Sequence, residues 1–193
     1  MSQTAEEPRR LTPSELRSLE EQTGERHELI DGVPYAMSGG SPRHARIKTN
    51  LLGAVFPRLK GSGCHAADSD QKIRVPATGG SFYADLTVIC GHYAYDAEDD
   101  HAVVNPRVLF EVLSPHTESH DRGTKFQHYR RIDSLQEYVL ISQDEQRVEV
   151  RRRVEGGWFI HEITTGNVAL ESLDIVLSLD ELYDFAGMDP AAD

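Results

Sequence analysis

The sequence predicts an α+β fold, a mixed β-sheet flanked by helices. Three observations carry this. Short runs rich in branched and aromatic residues read as strands, and Val108-Leu109-Phe110-Glu111-Val112-Leu113 reads as one buried on both faces. Capping boxes at Thr12-Pro13-Ser14-Glu15 and Ser178-Leu179-Asp180-Glu181 open helices near both ends of the chain. Strand-like and helix-like segments alternate irregularly between them, without repeat, low-complexity tract or linker, which favours helices packed against a mixed sheet.

In chain order, Pro13 at the first helical position starts a helix that runs to about Gln22, with Gly24 closing it. His27–Ile30 and Val33–Met37 form a hairpin around Asp31-Gly32, a strong two-residue turn signal. Pro34 places the second of these strands at an edge or bulge, because proline cannot donate to a ladder. Ser41 caps a second helix with Pro42 at its first position. Its apolar stripe is Ile47, Leu51, Leu52, Val55, Phe56 and Leu59, and Gly61-Ser62-Gly63 ends it. Strands follow at Gln71–Val75 and Phe82–Ile89, joined by a turn over Pro76–Gly80. Residues 91–105 read as an exposed acidic loop, and Arg107–Ser114 as the strand that carries Glu111. Pro115 breaks that strand. A short helix from about Ser119 to Arg131 turns Phe126, Tyr129 and Ile132 inward. Glu137–Ser142 and Arg147–Arg153 alternate as a hairpin, Gly156-Gly157 turns the chain into Trp158–Thr164, and a last helix reaches about Phe185. Residues 11–187 are expected to form one domain, with tails at 1–10 and 188–193.

The chain of 193 residues is long enough for a sizeable core, and its 38% hydrophobic and 27% charged content suits a globular protein. No apolar run approaches the roughly 18 residues of a membrane helix. The polar N-terminus has no apolar core of a signal peptide, so the expected location is cytoplasmic and the two cysteines, Cys64 and Cys90, are expected as thiols. The net charge of −12 opposes a polyanion over the molecule as a whole. Acids gathered at a metal site would account for part of it, and positive charge is clustered at Arg130-Arg131 and Arg151-Arg152-Arg153.

Glu111 stands in an otherwise apolar strand, where an ionised carboxylate needs a metal ion or a basic side chain to compensate its burial. Asp85 stands in the same position on the preceding strand. If the two strands are neighbours, about 4.8 Å apart, both carboxylates can share one divalent ion, and hard oxygen ligands favour Mg²⁺ or Mn²⁺. Alternatively each acid pairs with an arginine or faces water. Lys125 is the only lysine after Lys72 and begins the helix that follows the Glu111 strand. It either points back at the acids or lies in solvent. Glu28 is either a further acid at the site or an exposed hairpin residue, and His44 either a phosphate neighbour near a helix N-terminus or polar surface. His116 and His120 are four apart, but Pro115 and Thr117 make a poor helical zinc pair of them. Walker, dinucleotide and hydrolase-elbow motifs are absent.

His27-Glu28-Leu29-Ile30-Asp31-Gly32, with Met37-Ser38 and Ser41-Pro42-Arg43-His44, resembles the opening of the Uma-two family of restriction-endonuclease-like proteins, within the PD-(D/E)xK nuclease superfamily. Ala84-Asp85-Leu86-Thr87-Val88 resembles its "PD" strand. Leu109–Pro115, with Asp121-Arg122-Gly123-Thr124-Lys125 and Tyr129-Arg130, resembles its second signature, and the strands around Glu137–Leu140 and Arg147–Arg153 also fit. The resemblance covers roughly residues 11–185. It implies a restriction-endonuclease-like core with Mg²⁺ (Mn²⁺ as substitute) held by Asp85 and Glu111. Leu113 stands two residues after Glu111, so the lysine of the E-x-K motif is matched by Lys125 on the following helix. Glu28 would be an accessory catalytic acid, His44 a site neighbour. Two departures are Ala84 in place of the usual proline and His116 in place of a small residue, where it would stand beside the site. The implied activity is Mg²⁺-dependent endonucleolytic hydrolysis of phosphodiester bonds in DNA by metal-activated water. A non-catalytic interaction module of the same fold, or a metal-dependent hydrolase of a small phosphate ester, are the alternatives. A homodimer would suit cleavage of both strands of a duplex.

Overall fold

The computed structural model describes residues 10–37 and 39–184, so the expected tails, Arg10 apart, and the helix end at Phe185 lie outside the described residues. Helix α1 (Pro13–Thr23) carries the expected capping box, with Thr12 accepting from the Glu15 N–H, and is closed by Gly24 at φ 69°. Strands β1 (His27–Ile30) and β2 (Val33–Ala36) form the expected hairpin. Asp31 and Gly32 both take positive φ, as a tight two-residue hairpin turn demands. Pro34 sits on β2, at a sheet edge. Helix α2 (Pro42–Arg58) starts at Ser41, whose hydroxyl accepts from the His44 N–H.

The remaining elements are β3 (Cys64–Asp68), β4 (Lys72–Val75), β5 (Gly80–Tyr83), β6 (Leu86–Cys90), β7 (Ala102–Val103) and β8 (Val108–Leu113), then a π-helical turn (His120–Lys125) that runs into α3 (Phe126–Tyr129). Strands β9 (Glu137–Ser142), β10 (Val148–Val154), β11 (Gly157–Ile163), β12 (Asn167–Leu170) and β13 (Ile175–Ser178) follow, and helix α4 (Leu179–Leu182) comes last. The central sheet has the order β11-β10-β9-β8-β6-β3 and is mixed, because β8 and β9 run parallel while their neighbours are antiparallel. A second sheet has the order β2-β1-β5-β4-β7, and β12 and β13 pair separately.

The central sheet is covered on both faces. On one, α2, α4 and the β12–β13 pair close over Phe110, Val112, Val139 and Ile141. On the other, the second sheet and α3 close over Leu109, Leu113, Tyr138 and Leu140. This double cover makes β8 buried along its whole length, as its apolar run predicts. Strand alternation puts Glu111 on the second face, between Leu109 and Leu113.

Several expectations need correction. Phe82–Ile89 is two strands, β5 and β6, that belong to different sheets. Asp85 therefore lies at the crossing between sheets and not within a strand. Strands β3, β12 and β13 were not expected: Cys64–Asp68 mixes small and charged residues without a clean alternation, and β12 and β13 are only four residues each. The acidic segment 91–105 is not wholly exposed: Ala102 and Val103 form β7, and Asp99 is buried against Lys72 at 3.0 Å. Phe56, expected in the stripe of α2, is 56% exposed. Cys64 and Cys90 are joined in a disulfide and are not free thiols, because the β3–β6 register places them directly opposite each other.

One buried acid ties the far end of the central sheet. Glu137 is fully buried and accepts from Arg152 Nε (2.9 Å), the Glu171 N–H (3.2 Å) and the Ser172 N–H (3.1 Å). Glu137→Ala leaves Arg152 and two amides without their acceptor and should cost about 3–5 kcal/mol in urea unfolding. Glu171→Ala removes only the exposed partner of Arg152 and should cost less than about 1 kcal/mol.

Candidate active site

Where β6 stops short of pairing with the end of β8, the Val112 N–H has no strand partner on that side. Asp85 supplies one: its Oδ2 accepts from Val112 N at 2.8 Å. The register that pairs Leu86 with Phe110 also sets Asp85 opposite Glu111. His44, in the first turn of α2, reaches the same Asp85 oxygen through Nε2 at 3.2 Å, and Lys48 lies one turn on at 3.9 Å from Oδ1. Burial works to raise the Asp85 pKa, but the His44 hydrogen bond and charge, the Val112 N–H and the charge of Lys125 hold it below the usual carboxylate range.

Lys125 is the second anchor. Its ammonium lies 2.9 Å from Glu28 Oε1, 3.0 Å from Glu111 Oε1 and 3.4 Å from Asp121 Oδ1, and it donates to the Tyr83 carbonyl at 3.2 Å. It is buried, as are all three acids. The π-helical turn places Asp121 and Lys125 on one side, four residues apart, facing the strand. Tyr129 from α3 donates to Glu111 Oε1 at 3.3 Å, and His120 meets Glu28 Oε2 at 2.9 Å. Burial raises the Glu111 pKa well above its ordinary value; Lys125 opposes this, while Asp121, Asp85 and Glu28 reinforce it. Burial also raises Asp121, whereas for Glu28 the charges and hydrogen bonds of Lys125 and His120 overcome burial and lower it. For Lys125 burial is outweighed by Glu111, Glu28 and Asp121, which push it well above the usual lysine range.

These groups border a cleft. A cavity of about 310 Å³ is lined by His44, Asp85, Glu111, Asp121, Lys125 and Gln143. A second, of about 570 Å³, opens against Glu28, Tyr35, His116 and His120, and shares Asp121 and Lys125 with the first. The structure thus brings Asp85, Glu111, Lys125, Glu28 and His44 together, and sets His116 exposed at the rim of both cavities. Asp121, His120 and Gln143 were missed by sequence reasoning. The four-residue step from Asp121 to Lys125 was the available signal for the first. Gln143 accepts from Ser41 Oγ at 2.9 Å, a contact between residues 102 apart that no local pattern announces.

Four carboxylates, Glu28, Asp85, Glu111 and Asp121, gather around Lys125 and Lys48, so acids outnumber lysines at the cleft. Among the described residues, no three His, Cys, Asp or Glu side chains converge as a ready-made metal cage. This donor set fits Mg²⁺, which keeps several waters and is held by one or two carboxylates together with substrate phosphates. It does not fit a closed zinc site.

Residues 13–182 match the Uma2 family model, described as "Putative restriction endonuclease". An uncharacterized protein of Synechocystis, slr1290, is 32% identical over 176 residues, spanning 90% of this chain and 92% of the relative. Another from the same organism, sll1609, is 32% identical over 162 residues, spanning 83% and 92%. Among solved structures, a "putative nuclease belonging to DUF820" from Anabaena variabilis superposes with a TM-score of 0.68 at 18% identity, covering 83% of this chain and 91% of that one. At that identity the likeness is one of fold.

Two stability measurements probe the cluster. Lys125→Met removes the shared cation of three buried acids and should cost about 3–5 kcal/mol, of which a further Glu111→Gln should recover part. Because the Glu111 pKa is raised on folding, the folded protein binds more protons than the unfolded chain above the ordinary carboxylate range. Stability should therefore fall as pH rises from that range towards the raised value. Glu111→Gln should flatten this decline in thermal melts recorded in chelator; an unaltered slope would contradict the assignment.

Proposed function

This chain belongs to the Uma2 family, and from that premise we propose that it is a divalent-metal-dependent endonuclease that hydrolyses phosphodiester bonds in DNA. The observation that carries the reading is Lys125, held within 3.4 Å of three acids, beside the cleft that Asp85 and Glu111 line.

Asp85 and Glu111 would hold Mg²⁺, or Mn²⁺ in its place. When bound, such an ion lowers the pKa of a coordinated water and neutralises charge on the phosphoryl oxygens. The chain's own residues do the positioning. The Val112 N–H and His44 fix Asp85 on Oδ2, which sets the orientation of its carboxylate towards the cleft. Tyr129 and Lys125 both engage Oε1 of Glu111, which orients that side chain in the same way. The N–H donors of Lys125 are taken by Glu28, Glu111, Asp121 and the Tyr83 carbonyl, so it acts through its charge. It would serve as a fixed cation whose field favours the charge that develops on the phosphoryl group. Glu28 and Asp121 keep that ammonium in place, so they act through Lys125. His120, bonded to Glu28 at the cleft wall, and His116 at the rim are where a phosphate or leaving group would pass.

Purified protein should nick or cut plasmid DNA with Mg²⁺ or Mn²⁺ and lose that activity in chelator. Asp85→Asn and Glu111→Gln should fall below detection, and Lys125→Ala should lose roughly 10²–10³-fold in rate. A panel that includes nucleotides and small phosphodiesters separates this from hydrolysis of a small ester, which would turn those over faster than DNA. Equal DNA cleavage by wild type and Glu111→Gln, after matched purification, would refute the assignment. Full folding with neither Mn²⁺ binding nor turnover of any substrate would favour a non-catalytic module.

A further inference from the structure

A second cavity class lies away from the acids. After Lys125 the same helical segment continues through α3 to Arg130 and Arg131, and these two line a pocket of about 450 Å³ with Arg153, Gly156, Gly157 and Trp158. We propose that this pocket is a phosphate subsite for the backbone of the same DNA strand, beyond the bond that is cut; the proposal rests on the nuclease reading for its ligand.

The charge pattern is the first reason. In a chain of net charge −12, no acid lines this pocket. Among the described residues Arg130 and Arg131 are exposed and have no carboxylate within ion-pair distance, whereas Arg122, Arg147, Arg151 and Arg152 are each ion-paired. The nearest acids along the chain, Asp133 and Glu155, are both exposed and lie outside the lining.

The pocket is also built in advance. Arg153 donates to the carbonyls of Leu135 (2.7 Å), Ile132 (2.7 Å) and Arg130 (3.1 Å) and lies over the Trp158 ring at 4.7 Å. That holds the Arg130–Leu135 segment against the β10–β11 turn and leaves the Arg153 charge without a carboxylate partner. Trp158 is set edge-on to Phe126 at 5.3 Å, so the aromatic wall is fixed as well. Gly156 and Gly157 leave open space above the turn, which lets a phosphate approach the backbone closely. Arginine is the side chain best suited to that ligand, because its planar fork matches phosphate oxygens.

The place is right for a strand that also occupies the cleft. Glu111 is level with Leu140 and Glu149, and Arg153 lies four residues further along β10. Two strand spacings and four residue steps put the two positions about 16 Å apart. That is about five steps of a B-form duplex at roughly 3.4 Å each. Trp158 packs with the core on the same face of the central sheet as Leu109 and Leu113, the face to which Glu111 points.

The test measures binding without turnover. A short fluorescein-labelled DNA duplex is titrated with Glu111→Gln protein in chelator, and with the same protein carrying Arg130→Ala and Arg131→Ala. The arginine changes should weaken binding about tenfold and make the log–log salt dependence shallower by about 2, from about 0.9 per lost phosphate contact. Trp158 is the only tryptophan in the chain, so its fluorescence should change on titration in the Glu111→Gln protein and much less after the arginine changes. Unchanged affinity and salt slope in the arginine variant, with an unchanged melting temperature, would overturn the proposal while leaving the cleavage reading intact. Equal binding of a polyglutamate peptide would also overturn it, in favour of an acidic protein partner. Arginine-dependent DNA binding in a protein that never cleaves would uphold the subsite and count against the nuclease reading.

Discussion

The buried ammonium of Lys125 is the point on which the rest of the structure turns. It joins Glu28 of β1, Glu111 of β8, Asp121 of the π-helical turn and the Tyr83 carbonyl of β5, four segments from two sheets and the helix between them. An ion cluster of this kind is weak evidence for net stability, because its desolvation offsets much of its attraction. What it enforces is geometry. Removing the lysine would leave three largely buried carboxylates crowded together, so the ammonium favours this meeting of the two sheets. The cluster is therefore a registry device as well as the floor of a cleft.

The break between β5 and β6 follows from the same meeting of sheets. The chain must leave one sheet and enter the other within Ala84 and Asp85, and the crossing exposes the Val112 N–H of the partner strand. A short acid at the crossing satisfies that N–H and keeps its carboxylate at the mouth of the cleft. Asp85 thus has a structural task and a chemical one in a single hydrogen bond. His44 strengthens the arrangement because the Ser41 cap fixes the first turn of α2 beside it.

How far this was legible in the sequence depends on the kind of signal. Local chemistry was readable: the capping box at Thr12–Glu15, the Asp31-Gly32 turn and the Ser41 cap are settled by a few neighbouring side chains. Glu111 was readable for the opposite reason, as a charge that a buried apolar strand cannot tolerate alone. The lysine that answers it could be named from its scarcity, but only the fold places it. Features that depend on pairing between distant segments were not readable. The Cys64–Cys90 bond needs the β3–β6 register, and the division of Phe82–Ile89 into two strands needs knowledge that two sheets exist. Asp121 was quoted in a motif without a role, because a π-helical turn was not anticipated and its inward face could not be assigned.

The net charge of −12 argued at first against any polyanionic partner. The structure shows why a whole-chain sum is a poor guide. Four of the acids face one cleft, where Lys125 offsets part of their charge and, on the proposed reading, a divalent ion would offset more, and others pair with arginines, as Glu118 and Glu149 do with Arg122 and Glu171 with Arg152. The field a strand of DNA meets depends on the charges left unpaired at the surface it touches, since exposed pairs cancel and solvent screens whatever lies beyond about 10 Å. At Arg130 and Arg131 that remainder is positive, with Arg153 behind them. On the proposed reading, the arginines of this pocket would draw a polyanion to that place on an otherwise acidic chain. The excess of negative charge elsewhere would then guide the strand, because like charge disfavours the acidic approaches.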